Sequence, residues 1–224
     1  MTARAVRPPV QSKAVLFDMD GVIVDSERYW VEIEEEEILP SAVDGSPDTS
    51  ETTGMNFREI YDYLDDNYET TASKEEFVER YEEAAREIYA ELVELMDGFR
   101  ELLVDLREDG RRVALVSSSP HNWIDRMLDR FDLRGDFDEI ISAEEIDGQS
   151  KPEPDVYEYA AEKVGVDPEE AIAVEDSENG VKSAKAAGLV AVGYRNQSDA
   201  DLDLSEADAV AESPEELREI LLRE

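Results

Sequence analysis

The chain has 224 residues and a formal net charge of −37, from 59 acidic and 22 basic side chains. Such a surface is repelled by the phosphates of nucleic acids, so we expect no nucleic-acid partner. The chain contains no cysteine and a single histidine, His121, which excludes disulfides, thiolate nucleophiles, cysteine-based metal sites and multi-histidine metal clusters.

The acidic residues are spread along the chain rather than gathered in a tail. This distribution is typical of a surface adapted to concentrated salt, where the Debye length falls to roughly 3 Å at 1 M and repulsion is screened. No apolar stretch approaches a membrane span, and no basic-then-apolar signal opens the chain. We therefore expect a halophilic, cytoplasmic protein without a membrane partner, and no protein partner follows from the sequence.

The first apolar run, Ala14 to Phe17, is followed by Asp18-Met19-Asp20-Gly21. A short apolar run before a glycine predicts a buried strand that ends in a turn. Two carboxylates two residues apart then point the same way, into the crevice where open α/β sheets hold their ligands. Like charges this close are costly unless a cation or a reaction uses them, so we expect a functional role for Asp18 and Asp20.

The pattern then turns helical from about Arg28 to Met96. The segment Ser73-Lys74-Glu75-Glu76 has the form of a capping box, which predicts a helix start. Behind it, apolar residues recur at helical spacing and predict one buried helix face. These residues are Phe77, Tyr81, Ala84, Ala85, Ile88, Leu92 and Met96. An earlier glycine-bearing turn, Gly54 to Arg58, precedes a second helix.

From Gly98 onward, helices and strands alternate. Alternation of this kind predicts a parallel sheet that is covered by helices on both faces. The predicted helices are 98–109, 121–131, one ending at 164, one following 180, and 214–222, and the predicted strands are 112–117, 138–142, 171–174, 189–194 and 207–211.

Polar residues follow two of these later strands. Ser117, Ser118 and Ser119 end the strand that begins at Arg112, and we predict Ser119 as an N-cap with Pro120 at the first helical position. Hydroxyls and free N–H groups at a helix start suit a phosphate. Glu175 and Asp176 follow the strand from Ala171, and hard oxygen ligands of this sort suit Mg²⁺.

A further segment, Ser150-Lys151-Pro152-Glu153-Pro154-Asp155, precedes a helix. Proline fixes its own backbone and restricts its neighbour, so this segment predicts a stiff loop that holds the lysine in place. Lysine is scarce in the chain, since only six are present. A surface lysine remains the alternative interpretation for Lys151 taken alone.

Taken in order, Asp18-Met19-Asp20-Gly21, Ser117, Lys151-Pro152 and Glu175-Asp176 resemble the motifs of the haloacid dehalogenase superfamily of phosphohydrolases. The similar groups include β-phosphoglucomutase and the small sugar-phosphate and phosphoglycolate phosphatases, and the match runs from about Lys13 to about Tyr194. The resemblance implies an α/β fold with a Rossmann-like parallel core, residues 1–26 and 97–224. A smaller all-helical cap domain, residues 27–96, would be inserted after the first strand.

The resemblance also implies site roles. Asp18 matches the nucleophile that forms an aspartyl-phosphate, and Asp20 matches the general acid/base. Lys151 would neutralise the transferring phosphoryl group.

The implied cofactor is Mg²⁺. Asp18, the backbone carbonyl of Asp20, and Asp176 would hold it, with Glu175 as a ligand or as support for the ligands. Ser117 would bind a phosphate oxygen, and Ser118 and Ser119 would add contacts through their N–H groups.

The implied reaction is hydrolysis of a small soluble phosphate monoester, such as a sugar phosphate or phosphoglycolate. Asn56 and Arg58 lie where related proteins have a specificity loop, so we expect them to contact the rest of the substrate; a surface arginine is the alternative for Arg58.

Three other activities and a non-catalytic role have different requirements. A dehalogenase lacks the equivalent of Asp20. A phosphonatase replaces that aspartate too and uses a cap lysine, for which only Lys74 is available. A non-catalytic relative would be expected to have lost one of the core motif residues, and all are present. A phosphomutase keeps the whole motif set and remains open.

Overall fold

The computed structural model describes residues 12–45, 47, 57–146, 148–195 and 202–222. These residues divide into two compact units. One holds the described residues up to Asp25 and from Glu94 onward, and the other is Ser26–Val93. None of the helices in the described ranges has the length and apolar character needed to cross a membrane.

Strands and helices follow one another along the described ranges. The strands are β1 (Ala14–Phe17), β2 (Arg112–Ser117), β3 (Glu139–Ser142), β4 (Ala171–Glu175), β5 (Val190–Tyr194) and β6 (Ala209–Ala211). The α-helices are α1 (Glu27–Ile33), α2 (Leu39–Ala42), α3 (Phe57–Asn67), α4 (Lys74–Glu87), α5 (Phe99–Glu108), α6 (His121–Phe131), α7 (Asp155–Val164), α8 (Glu178–Ala186) and α9 (Pro214–Leu222). Two π-helical turns, Glu34–Ile38 and Ile88–Leu92, continue α1 and α4.

The first unit contains one parallel sheet in the order β3-β2-β1-β4-β5-β6. Strands β1 and β4 are buried along their whole length, because helices cover both faces of a parallel sheet and every side chain then meets apolar neighbours. Phe17 packs edge-to-face on Phe99 of α5, with ring centroids 5.3 Å apart. The predicted fold class, a parallel α/β core with a smaller helical unit, is confirmed.

The register of the sheet brings three strand ends together. Phe17, the last residue of β1, pairs with Leu115 of β2 on one side and with Val174 of β4 on the other. Because all three strands are parallel, the residues that follow them lie at the same edge. The sequence motifs after β1, β2 and β4 therefore share one end of the sheet.

The second unit is built around aromatic side chains. Tyr81 of α4 is within 5.5 Å, centroid to centroid, of Trp30, Phe57 and Phe77. The indole N–H of Trp30 donates to the hydroxyl of Tyr89 at 3.1 Å. Aromatic pairs of this kind stabilise a small core beyond the area they bury.

The predicted capping box at the start of α4 is confirmed, because the side chains and backbone groups of Ser73 and Glu76 bond to each other reciprocally. Of the predicted apolar face, Phe77, Tyr81, Ala85 and Ile88 are buried, and Ala84 and Leu92 are half-buried. The assignment of Met96 to this face is wrong. The helical run ends at Leu92, Val93 has extended backbone, and the Met96 N–H donates to Ile23 O in the first unit.

Candidate active site

Asp18 lies immediately after β1 and is 6% exposed. Its N–H donates to Val174 O at 3.0 Å, which fixes its backbone against β4. Lys151, from the loop before α7, places its Nζ 2.5 Å from Asp18 Oδ1 and 2.6 Å from Glu175 Oε1. One buried ammonium thus joins two of the motif carboxylates.

The site carries more negative than positive charge. Burial raises the pKa of Asp18 to about 8; Lys151 opposes this rise, while the Glu175 and Asp20 carboxylates add to it. Burial alone would lower the pKa of Lys151, but Asp18 and Glu175 outweigh it and the pKa is raised. Lys151 is therefore a permanent cation, and it leaves the surrounding carboxylates incompletely neutralised.

Asp18, Glu175 and Asp176 offer carboxylate oxygens that all lie within 4.8 Å of one another, and all three residues are buried. Buried like charges at this spacing are stable when a cation is shared between them, and hard oxygen donors suit Mg²⁺. Gly21 leaves room for this group, because a Cβ there would lie 1.8 Å from Asp176 Oδ2 and its φ is +72°. The residues present fit a magnesium ion.

Glu175 has a second buried partner, which the sequence motifs do not predict. The hydroxyl of Tyr157, on α7, donates to Glu175 Oε1 at 2.5 Å. The Tyr157 ring also contacts the lysine, because Lys151 Nζ lies 5.3 Å from the centre of that ring. Burial and the neighbouring Glu175 charge raise the pKa of Tyr157, so it remains a donor. The helical period could have placed Tyr157 on the inner face of α7, but no signal in the sequence pairs it with Glu175.

The three serines at the end of β2, Ser117 to Ser119, differ in their surroundings. Ser117 is 1% exposed and its Oγ accepts from the Ser119 N–H at 3.0 Å. Ser118 is exposed. Ser119 donates its hydroxyl to Asp20 Oδ2 at 2.8 Å.

The predicted N-cap at Ser119 is wrong. Helix α6 begins at His121, and Pro120 occupies the N-cap position without a side-chain cap bond. The physical reason is that Pro120 has extended backbone, with ψ of 150°, while the Ser119 hydroxyl is used by Asp20.

The sequence analysis also names Asn56, Arg58, His121 and Lys74. Asn56 is outside the described residues, and Arg58 is exposed on α3 in the second unit, with its guanidinium 4.5 Å from the ring centre of Phe57. His121 places Nε2 3.1 Å from Glu145 Oε1. Lys74 is exposed and pairs with Asp62 at 2.5 Å.

Comparison with known proteins gives consistent matches. Residues 15–194 match the family model of haloacid dehalogenase-like hydrolases. Hexitol phosphatase B of Escherichia coli strain K12 is 37% identical over 185 residues, which are 81% of this chain and 82% of that protein. The phosphorylated carbohydrates phosphatase of Thermotoga maritima is 32% identical over 215 residues, 93% and 98% of the two chains. A crystal structure of β-phosphoglucomutase from Clostridium difficile matches with a TM-score of 0.72 at 26% identity, covering 93% of this chain and 96% of that one.

Proposed function

The chain belongs to the haloacid dehalogenase-like hydrolases and is a phosphohydrolase, and we propose that it is a magnesium-dependent phosphatase acting through an aspartyl-phosphate. The observation that carries the proposal is the 2.5 Å contact of Lys151 Nζ with Asp18 Oδ1, inside the cluster of buried carboxylates. A carboxylate attacks a phosphate dianion only where positive charge offsets both partners. Among the described residues, Lys151 supplies that charge next to Asp18.

In the first half-reaction, an Asp18 oxygen attacks phosphorus and the ester oxygen leaves. Lys151 keeps the Asp18 carboxylate oriented and neutralises charge on the phosphoryl group as it passes. Ser117 ends β2, beside β1, and Ser118 and Ser119 follow it. We assign the Ser117 hydroxyl and the Ser118 N–H to the phosphate oxygens, whereas the N–H of Ser119 donates to Ser117 Oγ and its hydroxyl to Asp20. Asp18, the Asp20 carbonyl and Asp176 would hold Mg²⁺, with Glu175 in support; when bound, the ion supplies positive charge at the phosphate oxygens.

Asp20 performs the proton transfers in this scheme. Its carboxylic acid gives a proton to the leaving alkoxide, and its carboxylate then takes a proton from the water that attacks the aspartyl-phosphate. The second attack releases inorganic phosphate and regenerates Asp18 as a carboxylate. Asp18 and Asp20 therefore have different tasks although they are two residues apart.

Glu175 acts on the lysine and supports the ligands. Its Oε1 accepts both from Lys151, at 2.6 Å, and from Tyr157, at 2.5 Å. A carboxylate with one oxygen occupied in this way is held in one orientation, which keeps Lys151 aimed at Asp18. We assign Glu175 to the outer support of the site rather than to the reacting atoms.

The proposed substrate is a phosphorylated sugar or sugar alcohol. Two phosphatases of known substrate class, one for hexitol phosphates and one for phosphorylated carbohydrates by their names, are 37% and 32% identical to this chain. We propose that Ser26–Val93 is the cap domain and that Asn56 and Arg58 contribute to the choice of ester. The organism's cytoplasm is proposed to be rich in salt, from the net charge of −37.

The test is phosphate release from a panel of esters with Mg²⁺ in molar KCl, beside an EDTA control. The panel contains hexitol phosphates, hexose phosphates, phosphoglycolate, glycerol phosphate and an aryl phosphate. We expect release that depends on the metal and is fastest with hexitol or hexose phosphates. Release that is unaffected by EDTA would contradict the magnesium proposal, and a preference for phosphoglycolate would contradict the substrate class.

A phosphomutase is the second candidate, because the β-phosphoglucomutase structure shares the fold at a TM-score of 0.72. The same panel separates the two activities. Conversion of β-glucose 1-phosphate to glucose 6-phosphate without phosphate release would identify a mutase. Lys74, the lysine that a phosphonatase would require in the second unit, is exposed and paired with Asp62, so nothing favours that activity.

A further inference from the structure

The hydroxyl of Ser119 makes a contact that the proposed phosphate-binding role does not need. It donates to Asp20 Oδ2 at 2.8 Å, across a sequence separation of 99 residues. Ser119 is 9% exposed, so this bond is largely shielded from water. Hydrogen bonds to a charged acceptor are stronger than neutral ones, and shielding strengthens them further.

Two hydrogen bonds hold the backbone of Ser119 in place. Its N–H donates to Ser117 Oγ at 3.0 Å, and its carbonyl accepts from Ser142 Oγ at 2.8 Å. Ser142 ends β3 and is fully buried. The hydroxyls at the ends of β2 and β3 thus fix the backbone of Ser119, and the Ser119 hydroxyl reaches Asp20.

We propose that Ser119 is a positioning residue for Asp20, which holds the carboxyl group in the orientation required for proton transfer to the leaving group. This inference rests on the proposed function. Rotation about the Cβ–Cγ bond of an aspartate is soft, so a hydrogen bond to one carboxyl oxygen restricts the direction in which the other oxygen points. Ser142 and Ser117 act through Ser119, because they fix its backbone.

The step affected is the breaking of the ester bond. An Asp18 oxygen forms a bond to phosphorus, the bond between phosphorus and the ester oxygen breaks, and the proton of Asp20 moves to that oxygen. An alcohol leaves, and Asp20 remains as a carboxylate. An alkyl ester needs this proton, since an alkoxide is a poor leaving group, whereas a nitrophenolate leaves without it.

The test compares leaving groups in single-turnover experiments with Mg²⁺. For Ser119→Ala, we expect the rate of alcohol release from a hexitol phosphate to fall by about 10- to 100-fold, a part of what general acid catalysis contributes. The burst of nitrophenol from p-nitrophenyl phosphate should fall by less than about 3-fold. Ser119→Thr, which keeps the hydroxyl, should restore the alkyl rate.

Two comparison variants make the result specific. Asp20→Asn should show the same dependence on the leaving group, more strongly, and Tyr157→Phe should slow both esters equally. If Asp20→Asn shows no such dependence, the proposed function fails; if it does and Ser119→Ala does not, only the positioning role of Ser119 fails. Equal losses for both esters, an unchanged rate or a faster rate in Ser119→Ala would each overturn that role.

Thermal unfolding of each variant identifies a failure to fold. Should Ser119→Ala not fold, Ser142→Ala removes the bond to the Ser119 carbonyl and leaves the Ser119 hydroxyl in the chain. For Ser142→Ala we expect the rate of alcohol release from the hexitol phosphate to fall by about 3- to 10-fold, with little change in the nitrophenol burst. A loss without leaving-group dependence in that variant would overturn the inference.

Discussion

The carboxylate of Glu175 occupies the space in which a side chain on Gly180 would begin. A Cβ at Gly180 would lie 1.9 Å from Glu175 Oε2 and 2.0 Å from its carboxyl carbon. Gly180 is in the first turn of α8, where its N–H donates to the capping hydroxyl of Ser177 at 3.0 Å. The glycine therefore lets the helix start approach Glu175, which in turn contacts Lys151.

Gly180→Ala should displace Glu175 and with it the lysine. Inserting a methyl group into such a close contact costs about 1–3 kcal/mol, because backbone or carboxylate must move. We expect a lower melting temperature and at least about 10-fold slower phosphate release. Gly135→Ala is the matched control, since a Cβ at Gly135 has no atom within 4 Å; equal behaviour of the two variants would show that the approach of α8 is not required.

Tyr157→Phe should remove the hydrogen bond from Tyr157 to Glu175 while leaving the carboxylates of the site in the chain. Removing a buried hydrogen bond to a carboxylate costs about 1.5–3 kcal/mol in the free energy of unfolding, and loss of an outer-shell partner lowers metal affinity by about 10- to 100-fold. Urea unfolding and Mg²⁺ titration of activity measure the two effects. Tyr159→Phe, also on α7, is the control, because Tyr159 contacts Glu145 at an exposed site at 3.3 Å. An unchanged Mg²⁺ requirement in Tyr157→Phe would contradict the assigned role.

Glu34 should make the stability of the second unit depend on pH. Burial raises its pKa above the ordinary 4.5, the Glu35 charge adds to this, and the hydrogen bond from Tyr81, at 2.9 Å, opposes it. A raised carboxyl pKa contributes stability that is present below the unfolded-state pKa and is lost as pH rises through the folded-state pKa. Relative to wild type, Glu34→Gln should therefore become more stable as the pH is raised from 4 toward 7.

Urea unfolding in molar KCl at several pH values tests the Glu34 prediction. Glu36→Gln is the matched control, because Glu36 is exposed on the same π-helical turn. The free energy of unfolding of Glu36→Gln, relative to wild type, should change little with pH. A stability difference between Glu34→Gln and wild type that is constant from pH 4 to pH 7 would contradict the raised pKa of Glu34.

Stability should rise steeply with salt. Because the net charge is −37, the acidic side chains repel one another in the compact folded state. Salt screens this repulsion, since the Debye length falls from about 10 Å at 0.1 M to about 3 Å at 1 M. We expect the melting temperature to increase between 0.1 M and 2 M KCl and to respond much less to an equal osmolality of sucrose. A stability that is independent of KCl would contradict the halophilic proposal.

Much of the fold can be predicted from the sequence for a simple reason. Strands β1, β2 and β4 lie in the middle of the sheet, where both faces are covered, so each is a continuous apolar run. At the edges the pattern is weaker. The pattern predicts a last strand from Ala207, but Ala207 N donates to Leu204 O in a turn and β6 begins at Ala209.

The family is also predicted correctly, because its motifs follow strand ends that the alternating pattern already locates. What the sequence could not provide is contact between residues far apart in the chain. Tyr157 and Glu175 are 18 residues apart, and Ser119 and Asp20 are 99 apart. The N-cap at Ser119 is predicted from local preference, and a tertiary hydrogen bond overrides that preference.

Trapping the proposed covalent intermediate on Asp18 tests the mechanism directly. Wild-type protein is mixed with Mg²⁺ and a hexitol phosphate that carries the label on its phosphate group, and the reaction is quenched in acid within milliseconds. One portion is counted for label on the protein. The other portion is reduced with borohydride and digested for mass spectrometry. The proposed mechanism predicts label in the quenched protein, conversion of Asp18 alone to homoserine, and loss of both in a folded Asp18→Asn variant. Label on another residue, or full turnover by Asp18→Asn, would contradict it.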